Sequence, residues 1–323
     1  MKAIVQDRYG SADVLELRDI DPPVISADEV LLEVRAAGVE PGVWHLMTGL
    51  PYLVRVMGYG LVRPKYPVRG RDVAGRVEAV GANVTRFQPG DEVFGTCEGS
   101  FAEYAAARED KLALKPANLS FEEAAVIPIS GMTALQALRD KGRVQPANKV
   151  LIIGAGGGVG TFAIQIAKAF GAEVIGVCST TKVALVESIG ADHVIDYTRE
   201  DFADRAGQYD LIIDNAGNRS LSRLRRALAE DGTLVIVGGE EGGPWVGPAD
   251  RIVPAALLSP FVRQRLLPLM AAERQDDLRL LGEMAESGKL RPAVDRRYPL
   301  VEAPDAVRYV GEGHARGKVV VTI

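Results

Sequence analysis

Lys149-Val150-Leu151-Ile152-Ile153-Gly154-Ala155-Gly156-Gly157-Gly158-Val159-Gly160 is the stretch that decides the fold. Its first five residues form a continuous apolar run of strand length, and apolar spacing from Val159 to Phe170 predicts a helix closed by Gly171. Between them, five glycines fall within seven positions. The cluster reads Ala155-x-Gly157-x-x-Gly160, a dinucleotide fingerprint with alanine in place of its first glycine, and Gly158 and Val159 open the helix. Such a turn needs a tight bend, a backbone without Cβ where pyrophosphate approaches, and close helix–strand packing at Gly160. The helix N-terminus adds free N–H groups and positive dipole for the phosphates. The plain alternative is a tight βα turn that binds nothing, but the strand–turn–helix setting favours the phosphate cradle. Val150 to Ala167 is also an uncharged run of 18 residues, but its bunched glycines suit a turn rather than a membrane span.

Downstream, strand and helix patterns alternate. Ala172–Cys178, His193–Tyr197, Tyr209–Asp214 and Thr233–Val237 read as strands, with helices around Lys182–Ser188 and Ser220–Ala229. This rhythm makes βαβ units and a doubly wound (Rossmann) parallel sheet, expected over residues 120–288. The end of the second strand selects the cofactor. Val177-Cys178-Ser179-Thr180-Thr181-Lys182 has no acid to grip a ribose diol, and offers three hydroxyls and a cation instead. A carboxylate would repel a 2′-phosphate, whereas Ser179 and Lys182 can hold one, with Tyr197 in reach from the next strand. NADPH is therefore the expected cofactor, against the plainer reading of a solvated lysine and a polar helix cap. Thr133, near a helix start, and Asn215-Ala216-Gly217 and Val237-Gly238-Gly239 lie at strand C-terminal ends or adjoining loops, where open α/β sheets bind ligands. They are assigned to the ribose and nicotinamide.

Upstream, the first 115 residues or so read as strands and turns. Val30–Val34, Ala74–Val80 and Asp91–Phe94 are short β-branched runs bounded by Asp21-Pro22-Pro23, Val80-Gly81-Ala82-Asn83 and Gln88-Pro89-Gly90-Asp91. After a helical pattern over Asp276–Ser287, strand character returns at Arg297–Leu300 and Lys318–Ile323. The expected organisation is a β-barrel domain of residues 1–119 and 289–323 with the nucleotide domain inserted. Length agrees: 323 residues is about two domains at roughly 150 each.

Composition narrows the function classes. Lys and Arg number 38 against 43 Asp and Glu, a net charge of −5 spread along the chain, which argues against a nucleic-acid surface. Two cysteines, Cys97 and Cys178, exclude a disulfide framework and a four-thiolate zinc site. Met1-Lys2-Ala3-Ile4-Val5 lacks the pattern of a signal peptide, so a cytoplasmic chain with no membrane partner is expected.

In its order of parts, the chain resembles the medium-chain dehydrogenase/reductase superfamily, and within it the zinc-independent quinone oxidoreductases, or zeta-crystallin-like reductases. The resemblance rests on Ala36-Ala37-Gly38-Val39-Glu40-Pro41, Gly75–Gly81, Pro89–Gly95, Gly131-Met132-Thr133-Ala134, Asp192–Tyr197 and Gly317-Lys318-Val319-Val320. It implies a GroES-like fold for the barrel domain. Zinc-dependent relatives carry Gly-His-Glu where this chain has Gly70-Arg71-Asp72. Their cysteine ligands would fall at Glu40–Val43 and near Pro128-Ile129-Ser130, and none is present. His45, His193 and His314 have no ligand spacing, so no metal is expected.

The resemblance implies hydride transfer from NADPH to a quinone or to the β-carbon of an enone. It also implies a homodimer formed through the nucleotide-sheet edge at Pro260–Leu267, with the stretch from Gly242 to Leu267 covering the cleft. Related reductases commonly have Asn and Tyr where this chain has Glu40 and His45. Each is a candidate proton donor, and each also has a plain reading: a solvated loop carboxylate, and a histidine packed beside Trp44. Pro41 to Arg71 holds five cations and three tyrosines and no acid. It reads either as a wall of the acceptor pocket or as a cationic surface loop with packed tyrosines. An enoyl-thioester reductase and a non-catalytic NADPH-binding scaffold are the competing functions.

Overall fold

Short β-branched runs do build the first part of the chain. The computed structural model describes every residue except Arg205, residues 239–242, Pro244, Val246 and Pro248, and only the backbone of Ala249 and Asp250. β1 (Lys2–Val5) pairs antiparallel with β2 (Glu16–Asp19). β3 (Glu29–Val39) buries Val30, Leu32 and Val34 on one face and is buried on both from Ala36 onward. It pairs antiparallel with β4 (Asp72–Val80), which pairs with β5 (Glu92–Thr96). β6 (Tyr104–Arg108) lies on β3, and β7 (Leu112–Leu114) on β5.

The stretch between β3 and β4 is not all turn. It contains α1 (Pro41–Thr48) and α2 (Tyr52–Val54), followed by a wide helical turn over Arg55–Tyr59. α1 starts because Glu40 is extended and its carboxylate accepts from Gly42 N, with Pro41 in the first helical position; Gly49 ends it at φ 63°. Glutamate is an uncommon cap, which hid this helix from a reading by cap type.

Ser120 and Glu123 form a capping box that starts α3 (Phe121–Ala125), and α4 (Pro128–Gln136) follows. The alternating pattern then appears as expected. β8 (Lys149–Ile153), α5 (Gly158–Ala169), β9 (Glu173–Cys178), α6 (Val183–Ser188), β10 (His193–Asp196), β11 (Tyr209–Asp214), α7 (Leu221–Ala227) and β12 (Leu228–Ile236) run in sequence. α8 (Ala249–Leu258) leads to β13 (Arg265–Pro268). The six strands form a parallel sheet ordered β10-β9-β8-β11-β12-β13, its core built from Leu151, Ile153, Val177, Ile212 and Leu234. The strand order reverses between β8 and β11, the switch point at which such sheets bind ligands. The outer strand starts at Arg265 rather than Pro260, because Ser259–Phe261 forms a short helical turn.

α9 (Gln275–Glu286), β14 (Val294–Pro299), α10 (Ala303–Gly311) and β15 (Lys318–Thr322) close the chain. β15 pairs parallel with β14 and antiparallel with β3, returning to the first sheet as expected. The chain divides into one unit of Met1–Met132, Glu273–Gly288 and Pro292–Ile323, and another of Thr133–Ala272 and Lys289–Arg291. Residues 120–132 and 273–288 therefore belong with the barrel, not with the nucleotide domain as the sequence rhythm suggested. Apolar contacts draw them there: Gly131 faces Leu281, and Gly282 faces Phe94 and Pro116.

Candidate active site

The glycine turn, the candidate cofactor cradle, lies within the unit of Thr133–Ala272 and Lys289–Arg291. Gly157 caps α5 with extended backbone and, having no side chain, leaves the first turn without a side-chain cap. Gly158, Val159 and Gly160 form that turn, where helices leave N–H groups without intrahelical partners, the kind of terminus that suits an anion. The turn is fixed from behind: Gly154 N and Ala155 N both donate to Val177 O, at 3.1 and 3.0 Å, and Gly157 N donates to Gly154 O at 3.1 Å. Gly160 is sterically required, since a Cβ there would lie 2.2 Å from Gly154 O. A Cβ on Gly157 would meet only Gly154 O, at 3.4 Å, so that face is open for a ligand. Ala155, standing where the fingerprint has glycine, is fully buried.

Asn215, just past the end of β11, donates to Ile153 O at 3.1 Å through Nδ2, while its buried Oδ1 has no protein partner. Gly238, two residues past β12, lies against it: a Cβ there would be 2.4 Å from Asn215 O. The structure thus brings Ala155, Gly157–Gly160, Asn215 and Gly238 together at the switch point. Three open helical donors, a bare glycine face and an orphaned acceptor fit a dinucleotide. Gly239, included in the sequence reading, lies outside the described residues. Thr133 is half-buried in the middle of α4, rather than near its start.

The Ser179–Lys182 segment borders this cradle. The Lys182 stem runs alongside Gly156, where a Cβ would come within 2.8 Å of it, and Ser179 Oγ lies 3.4 Å from Thr181 Oγ1. One acid escaped the sequence reading. Asp196 ends β10 and is in register with Cys178, so its carboxylate accepts from Thr180 Oγ1 at 2.5 Å and from Thr198 Oγ1 at 2.7 Å. Those hydroxyls hold the carboxyl below the usual range. One cation was missed too: the Arg219 guanidinium lies 5.7 Å from the Tyr197 ring centroid, making Tyr197 and Arg219 neighbours.

The barrel unit carries the second polar cluster. Arg71 ion-pairs with Glu273, and its Nε lies 3.5 Å from Glu98. Glu273 also accepts from Thr96 Oγ1 at 2.9 Å. Asp72 is fully buried; its Oδ1 accepts from Ile129 N at 2.9 Å, and its Oδ2 lies 3.5 Å from Lys318 Nζ, which donates to Ser130 Oγ at 3.0 Å. Burial pushes the Asp72 carboxyl up to about 7 against the pull of the Lys318 ammonium. The positions at which zinc relatives hold ligands are thus occupied by a guanidinium tied to two carboxylates and by a hydroxyl bonded to an ammonium. Among the described residues, no cluster of three or more His, Cys, Asp or Glu side chains is arranged to hold a metal.

Glu40 is only 5% exposed, so it is not a solvated loop carboxylate. Its Oε2 accepts from Gly42 N at 2.5 Å, its Oε1 is buried without a protein partner, and its charge acts on Arg71 and Asp72. His45 is turned to another partner. Its Nδ1 lies 2.9 Å from Leu50 O, and because a carbonyl only accepts, Nδ1 carries the proton. In the loop that follows, Arg55 lies over the rings of Tyr9 and Tyr52, at 4.2 and 4.8 Å. Lys65 Nζ likewise lies 5.0 Å from the Tyr66 ring centroid, so cations and tyrosines there pack on each other.

Three family models together match most of the chain. The alcohol dehydrogenase GroES-like domain matches residues 26–117, the C-terminal domain of alanine dehydrogenase/PNT matches 130–217, and the domain described as zinc-binding dehydrogenase matches 189–321. The 2-methylene-furan-3-one reductase of Solanum lycopersicum is 34% identical over 337 residues, spanning 99% of this chain and 79% of that protein. The chain belongs to the quinone oxidoreductase family of the medium-chain dehydrogenase/reductase superfamily. The quinone oxidoreductase of Coxiella burnetii superposes with a TM-score of 0.87 at 31% identity, covering 100% of this chain and 99% of that one. The Escherichia coli quinone oxidoreductase, solved with NADPH, gives 0.85 at 25% identity with both chains fully covered.

Proposed function

We propose that the chain is an NADPH-dependent, metal-independent reductase that delivers hydride to a quinone or to the activated double bond of an enone. The observation that carries this reading is the capless start of α5 with Lys182 beside it, a cradle for a dinucleotide with an added phosphate. The name of the tomato relative denotes a conjugated enone as substrate, and the E. coli structure was solved with NADPH. Bound NADPH supplies the hydride.

The protein's own groups bind and orient. The N–H groups of Gly158, Val159 and Gly160 hold the pyrophosphate; Ser179 and Lys182, with Tyr197 alongside, hold the 2′-phosphate. Thr133, Asn215 and Gly238 serve the ribose and nicotinamide. Glu40 is the proposed proton donor, acting at Oε1, the oxygen left over from helix capping. His45 acts as an acid only when doubly protonated, since its neutral ring offers Nε2 as an acceptor. The site works in a homodimer joined at the β13 edge, in the cytoplasm. Two free cysteines support a reducing compartment, and among the described residues no helix is long and apolar enough to cross a membrane.

Loss of NADPH absorbance with a panel of quinones, enones and enoyl thioesters tests the proposal. Turnover of quinones or enones is expected. Turnover of thioesters alone would make the chain an enoyl-thioester reductase, and binding without turnover would make it a scaffold.

A further inference from the structure

Six large apolar side chains are exposed within the span of residues 52–62: Tyr52, Leu53, Val56, Met57, Leu61 and Val62. The tips stand far out, with Val56 at 70%, Leu61 at 68% and Val62 at 88% exposure. Scattered apolar surface needs no explanation, but a contiguous patch marks an interaction site. The same segment carries the exposed Arg63 and Lys65, and no acid occurs from Pro41 to Arg71, in a chain whose net charge is −5. The local charge is opposite to that of the whole.

The segment is also pinned from below. Tyr9 Oη lies 3.0 Å from Tyr59 O and donates its one proton to the nearer Gly60 O at 2.6 Å, and Lys65 N donates to Tyr59 O at 2.8 Å. Gly60, at φ 108°, allows the closure: a Cβ there would lie 2.1 Å from Arg63 O. The Tyr59 and Gly60 carbonyls therefore already have internal donors, which lowers the cost of carrying them into a medium of low polarity.

We propose that this loop docks the protein on an anionic lipid surface, with Val56, Met57, Leu61 and Val62 entering the interface and Arg63 and Lys65 meeting headgroup phosphates. Apolar insertion together with a few cations is the chemistry of peripheral membrane binding, and it needs no spanning segment. Charge complementarity favours lipid over a second copy, because an isologous contact would set one cationic loop against its twin. The sequence offered no membrane partner, since side-chain exposure along a loop has no period to read. The proposal stands independently of the acceptor assignment.

Co-sedimentation of the whole chain with vesicles of phosphatidylcholine, with and without phosphatidylglycerol, tests it. Binding to the mixed vesicles alone is expected, weakening as salt rises. The double variant V56S/V62S should bind about tenfold or more weakly, and R63Q/K65Q should lose the preference for anionic lipid. NADPH oxidation by a water-soluble acceptor without vesicles should stay at the wild-type rate in V56S/V62S. An active enzyme that ignores both vesicles overturns docking, as does equal binding by wild type and V56S/V62S. An inactive chain that still binds vesicles keeps docking and removes the reductase reading. Concentration-dependent self-association abolished by V56S/V62S would identify a second copy as the occupant and overturn the proposal.

Discussion

Lys318 Nζ lies 3.5 Å from Asp72 Oδ2, with the two side chains only 2% and 0% exposed. The pair joins β15 to β4, and through Ser130 to the first turn of α4. Above about pH 7, where Asp72 carries its charge, removing one partner of a buried pair leaves a charge without compensation, which costs about 3–5 kcal/mol. Lys318→Met should therefore lower the urea-unfolding free energy by that amount. A loss of less than about 1 kcal/mol, the scale of a surface pair, would show that the contact carries little.

Asp72 also sets a pH dependence. An unfolded Asp gives up its proton near pH 4, whereas the folded carboxyl holds its proton up to about 7 because burial opposes its charge. The folded state binds the extra proton between those values, so this group's contribution to stability falls as pH rises from about 4 to about 7, and is flat beyond. Unfolding free energies at acid and neutral pH should show Asp72→Asn gaining on the wild type as pH rises. A constant difference between the two proteins would contradict the raised value.

Lys182→Ala should reduce the preference for NADPH over NADH in kcat/KM by about tenfold to a hundredfold, the worth of one charge-assisted hydrogen bond. An unchanged ratio would remove Lys182 from the 2′-phosphate site and leave Arg219 as the neighbouring cation to test.

At Gly160, a methyl group would overlap Gly154 O at 2.2 Å. Gly160→Ala should displace the turn and abolish the rise in NADPH fluorescence on titration. Cofactor binding at wild-type affinity would mean that the cradle lies elsewhere.

Glu40→Gln keeps an oxygen to cap α1 but cannot exchange a proton. If Glu40 is the acid, kcat should fall about 10²–10⁴-fold with thermal stability preserved. Glu40→Ala additionally removes the cap, at about 1 kcal/mol. Equal kcat in Glu40→Gln and wild type would reduce Glu40 to a helix cap.

Some of this architecture was open to reading from residue order alone. The Lys149–Gly160 stretch announced the nucleotide sheet because its apolar run and its glycines are local signals. Asp196 and Arg219 were not legible, since only the pairing of β10 with β9 and the return of the chain after β11 bring them beside Thr180 and Tyr197. The domain boundary failed for a related reason: α9 has a helix pattern that looks the same whichever unit it covers, and its contacts with Phe94 are long-range. Burial of Glu40 was invisible as well, because a carboxylate preceding Pro41 ordinarily marks a surface loop.

The pairing of β15 with β3 sets Val319 against Val39, from opposite ends of the chain. During synthesis, β3 is made long before the strand that will cover its Ala36–Val39 side. The nucleotide unit comprises residues 133–272 and 289–291, all of which are made before β15. An unpaired strand edge invites pairing with other chains. The nascent chain therefore passes through a stage in which the Ala36–Val39 edge has no β15 to pair with, and its yield in a cell should depend on how quickly the late strand arrives.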